Sequence, residues 1–354
     1  MTKVKTLLKF TIAGLLYFSG VSWIALRIRL KREKQPIILM YHRILPDNDP
    51  GLNYSQAGIV VSKGTFEAQM KFIKQKFPLI SISDYAREYN SQRVSSDYLI
   101  VTFDDGWKDN FQYAFPILKQ LGIPATIFLT VDFIASKKEL WFYQILKLLK
   151  SSSIARQKLI ALLNDYQSAR QSDYISDDEL IEQLKNLHLE TILAIINKIQ
   201  EDSAVVSSKS RDSETMLDWS EIAIMAESGI DFGSHGLSHS IITLLNEEQI
   251  WKELSVSKSA IEEKLHKPVL SYAYPNGNYN ESIQVMVKKA GYLCAAATRG
   301  DNSSNNIPDI LALRRVGIHT DIIVGPRGNF SKAMFMMRIS GLDKTLGKLF
   351  SNKV

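Results

Sequence analysis

The chain has 354 residues, of which 45% are hydrophobic and 23% charged. That balance belongs to an ordinary globular protein of one large or two modest domains and excludes a disordered, collagenous or multi-span membrane chain. The net charge of +6 invites a nucleic-acid partner, while the single cysteine, Cys294, excludes an intrachain disulfide framework and a cysteine-based zinc site, so any metal must be held by His, Asp or Glu.

The first segment accounts for the charge. Phe10 to Leu26 is a run of 17 residues without a charge, closed by Lys9 and Arg27. As a helix it is about 26 Å long, at the short end for a bilayer core of about 30 Å. Lys3, Lys5 and Lys9 precede it, and Arg27, Arg29, Lys31, Arg32 and Lys34 follow with Glu33, so residues 1–34 carry +7 and the remaining 35 cations and 36 anions leave the body at −1. The pattern predicts a single-pass N-terminal membrane helix with basic flanks. Trp23, Ile24 and Leu26 followed by a basic run fit a cleaved signal poorly; a buried helix is the other structural reading. The excess of cations after the segment leans towards a body on the cytoplasmic side, and with no basic stripe left in that body no nucleic-acid partner is expected.

From Pro36 a strand-then-helix rhythm begins. Pro36–His42 is a dense apolar run, predicted as a buried strand, and Ser55–Ser62 falls in or beside a polar loop. Thr65–Lys76 has helical spacing, Tyr98–Phe103 is a second buried strand, Asp109–Leu121 a helix, and Ala125–Thr130 a third strand. Lys137–Met216 breaks the rhythm with helical periodicity and ends in a Ser-, Lys- and Asp-rich stretch, Ser203–Thr215; it is expected as a helical insertion between two barrel units, the alternative being a small independent helical domain. Trp219–Ser228 (helix), Ile230–Gly233 (strand), Asn246 to about His266 (helix), Leu270–Tyr274 (strand), a helix capped by Asn280, Tyr292–Thr298 (strand) and Leu311–His319 complete the series. Three helices stop at a glycine with a strand directly after it, Gly122, Gly229 and Gly291. About seven buried strands alternating with helices predict an α/β fold, a parallel (β/α) barrel with its site at the strand C-terminal ends. The expected division is an anchor at 1–34, a barrel at 35–320 with the insertion at 137–216, and a C-terminal tail at 321–354.

Polar residues gather at those strand ends. Thr102-Phe-Asp-Asp-Gly106 sets two carboxylates side by side after an apolar strand, which is costly unless a cation or proton relieves them; alone, it is also an ordinary Asp-Gly turn. Ser234-His-Gly-Leu-Ser-His239 sets His235 and His239 four residues apart, able to face one ion. Two imidazoles and one carboxylate leave coordination positions open, and the second carboxylate is then available as a base. Tyr272-Ala-Tyr-Pro-Asn-Gly277 presents Tyr274, Pro275 and Asn276 at a third strand end, where a turn can aim a backbone N–H at an oxyanion; by itself it reads as a plain turn. His42 and His319 end the first and last strands, each a candidate to protonate a leaving group and each equally a structural histidine.

Taken together, Thr102–Gly106, Ser234–His239, Tyr274–Gly277 and the opening Leu39-Met-Tyr-His-Arg43 resemble the polysaccharide deacetylases, the NodB-homology group of carbohydrate esterase family 4, over roughly residues 36–136 and 217–320. The resemblance implies a distorted (β/α) barrel that hydrolyses N-acetyl groups of amino sugars with zinc or another divalent metal ion. It makes Asp104 the general base, Asp105, His235 and His239 the metal ligands, the Asn276 N–H an oxyanion donor, and His319, after Ile318, the general acid. Two departures stand out. The family's base-steadying arginine, two residues before the proline of the third motif, is replaced by Ala273, and no tryptophan follows Trp251, so the family's aspartate–tryptophan motif is missing. These leave open what orients Asp104 and which residue is the acid, with His42 a candidate to substitute in one role. Family members with an Ala-Tyr-Pro third motif act on surface polysaccharides, so the expected partner is an N-acetylated polysaccharide or lipid-linked sugar. The rival readings are a non-catalytic glycan-binding scaffold on the same barrel and a metal hydrolase for another ester or amide.

Overall fold

The computed structural model describes residues 3–92, 95–166, 175–202, 215–298 and 309–351. Seven strands, β1 (Ile37–Tyr41), β4 (Leu99–Phe103), β5 (Ala125–Leu129), β6 (Asp231–Ser234), β7 (Ser271–Ala273), β8 (Cys294–Ala297) and β9 (Leu313–Gly317), form a closed, wholly parallel barrel in that order, with β9 paired back to β1. Two further strands, β2 (Arg43–Leu45) and β3 (Val60–Ser62), make a small parallel sheet. The expected barrel is therefore present.

Strand alternation divides the core in two. Leu39, Tyr41, Val101, Phe103, Ile127 and Phe232 pack outward under the surrounding helices. Ile38, Ile100, Phe128, Ala273, Cys294, Ala296 and Leu313 fill the interior together with Ile82, Tyr85 and Ala86 of the helix Ile82–Asn90, which the sequence reading did not anticipate. A period of two along each strand then carries the inward positions up to Asp104, His235 and Arg315. The glycine stops behave as expected: Gly122, Gly229 and Gly291 have φ of 58°, 91° and 84°, the left-handed cap conformation. The expected helix Asp109–Leu121 begins instead with a π turn, Asn110–Ala114, before Phe115–Leu121.

Between β5 and β6 the described residues of the insertion form four helices, Trp141–Ser151, Ser153–Tyr166, Asp177–Leu184 and Leu189–Asp202. Their apolar faces share one cluster, with Leu146, Leu163, Leu180 and Ile195 at its centre and Trp107 and Met216 joining it to the barrel. The polar stretch expected to end the insertion lies, except for Thr215, outside the described residues.

The N-terminal segment departs from the single spanning helix expected. α1 (Lys3–Phe18) and α2 (Val21–Glu33) meet at a 77° bend, and among the described residues no single helix is long and apolar enough to cross a membrane. Gly20 at the bend has φ 80°, a conformation that side chains with a Cβ resist. Both helices rest on the C-terminal residues, which carry the helices Thr320–Ile323, Lys332–Ile339 and Leu342–Ser351.

Candidate active site

Four strand ends converge on one cleft of about 620 Å³, bounded on the barrel side by His42, Asp104, Asp105, His235, His239 and Asn276. The insertion helices contribute Trp141, Phe142, Glu182 and Lys185 to its wall, and the helix Leu342–Ser351 contributes Lys344. Trp141 and Phe142 are buried, yet Phe142 meets the His239 ring edge-on at 5.5 Å, so these aromatics are core of the insertion and lining of the cleft at once.

Asp104, one residue past β4, is buried. Arg315, on β9, grips it bidentately: Nη1 donates to Oδ1 at 2.5 Å and Nη2 to Oδ2 at 2.8 Å. Burial pushes the carboxyl up, but Arg315 with His235 and His42 outweighs it, and the net displacement is downward. Asp104 thus has an arginine partner, on β9, although the third motif carries Ala273. Small residues at Ala273 and Ala296 line the barrel interior that Arg315 shares, and its guanidinium lies 5.6 Å over Phe128.

Asp105 turns the other way. Its φ of 75° is strained for a residue with a side chain, as are those of His239 (59°) and Asn276 (58°), so left-handed non-glycine backbone clusters at this cleft. The Trp107 indole N–H donates to Asp105 Oδ2 at 2.8 Å, which leaves Oδ1 buried without a hydrogen-bond partner. That orphaned oxygen lies 3.5 Å from His235 Nε2 and 3.3 Å from His239 Nε2. His235 Nδ1–H donates to the Ala273 carbonyl at 2.7 Å, which directs the Nε2 lone pair into the site. Burial pushes the His235 pKa down to about 4, so the ring is neutral at pH 7; Asp105 is also displaced downward, the neighbouring histidines outweighing its burial. A buried carboxylate oxygen with no donor, facing two imidazoles within 4.8 Å, is a group that could hold a metal ion, and its chemistry fits a divalent one.

Besides Arg315, two further supports were not legible as such in the sequence. Glu253, on the helix Glu247–Leu265, accepts from the Leu237 N–H (2.6 Å), the Ser238 N–H (3.2 Å) and the Ser238 hydroxyl (2.5 Å), fixing the loop between the two histidines. Arg43 donates to buried Asp109 at 2.9 Å and lies 4.3 Å over the Trp107 ring, so it holds the indole that holds Asp105. The only signals were a glutamate on a charged helix and an arginine after a strand, both of which ordinarily read as solvated.

The two candidate acids separate. His42 Nε2 is 3.9 Å from Asp104 Oδ2, and the ring lines the cleft. His319 is not brought in: β9 ends at Gly317, and His319 is already the cap of the helix Thr320–Ile323, in the fields of Asp321, Arg338 and Lys9. In the third motif, Gly277 N–H closes on the Tyr274 carbonyl at 2.7 Å, and a Cβ at Gly277 would collide with Thr298, so only glycine fits. Tyr274 spends its hydroxyl on the Leu311 carbonyl (2.8 Å) and Pro275 is buried, which makes both of them supports for the turn that presents Asn276.

Residues 91–295 match the sequence profile of the family described as Polysaccharide deacetylase. The match spans more than half of the chain, and the chain belongs to that family. It is 22% identical to "Putative polysaccharide deacetylase YxkH" of Bacillus subtilis (strain 168) over 309 residues, 87% of this chain and 80% of that one. Among solved structures, the deacetylase PplD of Streptococcus pyogenes, in complex with acetate, superposes with a TM-score of 0.53 at 18% identity, covering 81% of this chain and 94% of that one. BC0361, a polysaccharide deacetylase from Bacillus cereus, gives 0.50 at 22% identity over 80% of this chain and 65% of that one. These likenesses carry the fold; the family match carries the class of reaction, hydrolytic deacetylation of a polysaccharide.

Proposed function

We propose that the protein is a metal-dependent N-deacetylase of an amino-sugar glycan, with Asp104 as general base, His42 as general acid, and Asp105, His235 and His239 as ligands of a divalent ion, zinc being the best fit to two imidazoles and a carboxylate. The observation that carries the reading is the division of labour between the adjacent carboxylates: one is gripped by Arg315 and faces His42, the other leaves an unpartnered oxygen between two imidazoles. A bound ion supplies Lewis-acid polarisation of the acetyl carbonyl and acidifies water.

The chain's own residues do the rest. Asp104 accepts the proton of the attacking water, its ionised state secured by Arg315. The Asn276 main-chain N–H, presented by the Pro275–Gly277 turn, is the donor assigned to the developing oxyanion. His42 delivers a proton to the departing nitrogen as the C–N bond breaks, so that water and the N-acetyl group leave as acetate and a free amine. The open cleft suits an extended sugar chain. The glycan class is tested by mass-spectrometric detection of acetyl loss across chitin oligomers and native envelope glycans, alongside metal analysis of the purified chain. Stoichiometric divalent metal with acetate release from N-acetylated sugars supports the assignment; no bound metal points to the scaffold, and turnover of simple esters alone points to a different hydrolase.

A further inference from the structure

The outward face of the N-terminal helix pair is apolar where a surface helix should be polar. Of the 13 large hydrophobic residues exposed among the described residues, seven fall within the first 28 positions. Leu7, Leu15 and Phe18 form a stripe along α1, with Phe18 87% exposed, and Val21, Ile24 and Ile28 continue it along α2. The opposite sides are already used: Ala13 packs on Met334 and Met337, and Leu26 and Leu30 join the main core. Arg29 donates to the Ile339 carbonyl at 2.7 Å, and Glu33 pairs with both Arg29 and Arg314. The pair is thus bound along its length to the body and does not project from it.

We propose that α1 and α2 form an in-plane docking surface for an anionic lipid bilayer, lying in the headgroup region instead of crossing it. Each helix, at about 24 Å and 20 Å, falls short of the roughly 30 Å hydrocarbon core, and the bend at Gly20 lays both along the body. Charge selects the occupant. Lys31 continues the apolar stripe one turn beyond Ile28, and Arg27, Arg32 and Lys34 are exposed around it, a cationic end suited to lipid phosphates. The helix Leu342–Ser351 ties this surface to the catalytic cleft, Leu342 and Leu346 packing into the α1 contact while Lys344 lines the cleft. The proposal is independent of the chemistry assigned to that cleft.

The test is co-sedimentation of the full chain with phosphatidylcholine vesicles and with phosphatidylcholine–phosphatidylglycerol vesicles. Binding is expected to be at least about tenfold tighter to the anionic vesicles. The combined variant Leu15→Ser, Phe18→Ser and Ile24→Ser, all outward-facing, is expected to lose that binding with an unchanged melting temperature. Bound wild-type protein is expected in the supernatant after alkaline carbonate. Failure to bind vesicles, undiminished binding by the variant, retention through carbonate (a spanning segment), or a lipid-free dimer that the variant dissolves (a second copy as occupant) would each overturn the proposal.

Discussion

Replacing Arg315 by methionine removes the cation from Asp104 while roughly keeping the stem's volume. In the intact site both carboxylate oxygens are held, at 2.5 and 2.8 Å, by a guanidinium whose side chain is 1% exposed. Without it, burial, the strongest single influence on this carboxyl, loses its largest opponent, and Asp104 titrates higher than in the intact site. Stranding a buried charge in this way costs about 3–5 kcal/mol, part of which the protein escapes by protonating the base. The sign is definite. The base works only when ionised, so the acid limb of kcat/KM moves to higher pH, each unit corresponding to about 1.4 kcal/mol, and the melting temperature falls. Arg315→Lys keeps the charge and loses the fork, so its acid limb should lie between the two. The assay is a pH profile of acetate release with a thermal melt at each pH. An acid limb in Arg315→Met superimposable on that of wild type would refute the claim that Arg315 secures the ionised state of Asp104.

Other consequences follow from the same contacts. His42→Gln should cut kcat about 100-fold or more, whereas His319→Gln, outside the cleft, should retain near-normal turnover; equal losses in both would undo the acid assignment. Glu253→Gln, which weakens the acceptor holding the His235–His239 loop, should lower metal affinity about tenfold or more in a chelator competition, with little change in melting temperature measured with metal saturating; unchanged affinity would make Glu253 a structural residue only. His235 is buried with its pKa lowered from 6.5 to about 4, so its contribution to the metal-free fold is fully present above pH 6.5 and is lost as pH falls through 4, on the order of 3 kcal/mol in total. Denaturant titrations of apoprotein across that window, compared with His235→Gln, should show the variant losing less stability with acid than wild type; parallel losses would contradict it.

The barrel was legible because its strands are short apolar runs closed by helices that stop at glycine, and because parallel strands buried on both faces carry their pattern locally. Most of the cleft was legible for the same reason, since Asp104, Asp105, His235, His239 and Asn276 sit in motifs at strand ends. What escaped depended on register or on distance along the chain. Arg314 and Arg315 are indistinguishable in sequence, and only the pairing of Arg315 with Ile38 sends the second into the barrel. His42 and His319 both follow strands, yet His42 lines the cleft while His319 caps the helix after β9. Glu253 looked like one more charge on a solvated helix because its partners lie 15 and 16 residues away. The apolar run Phe10–Leu26 read as one helix because Gly20, inside it, carries no sign of whether it will bend.

The central claim is that one carboxylate does the chemistry and its neighbour holds the metal. It is tested most directly by measuring acetate release and bound divalent metal in the same preparation of Asp104→Asn. The account predicts wild-type metal content with acetate release reduced about 1,000-fold or more. Substantial turnover in that variant, or loss of the metal along with the activity, would contradict it.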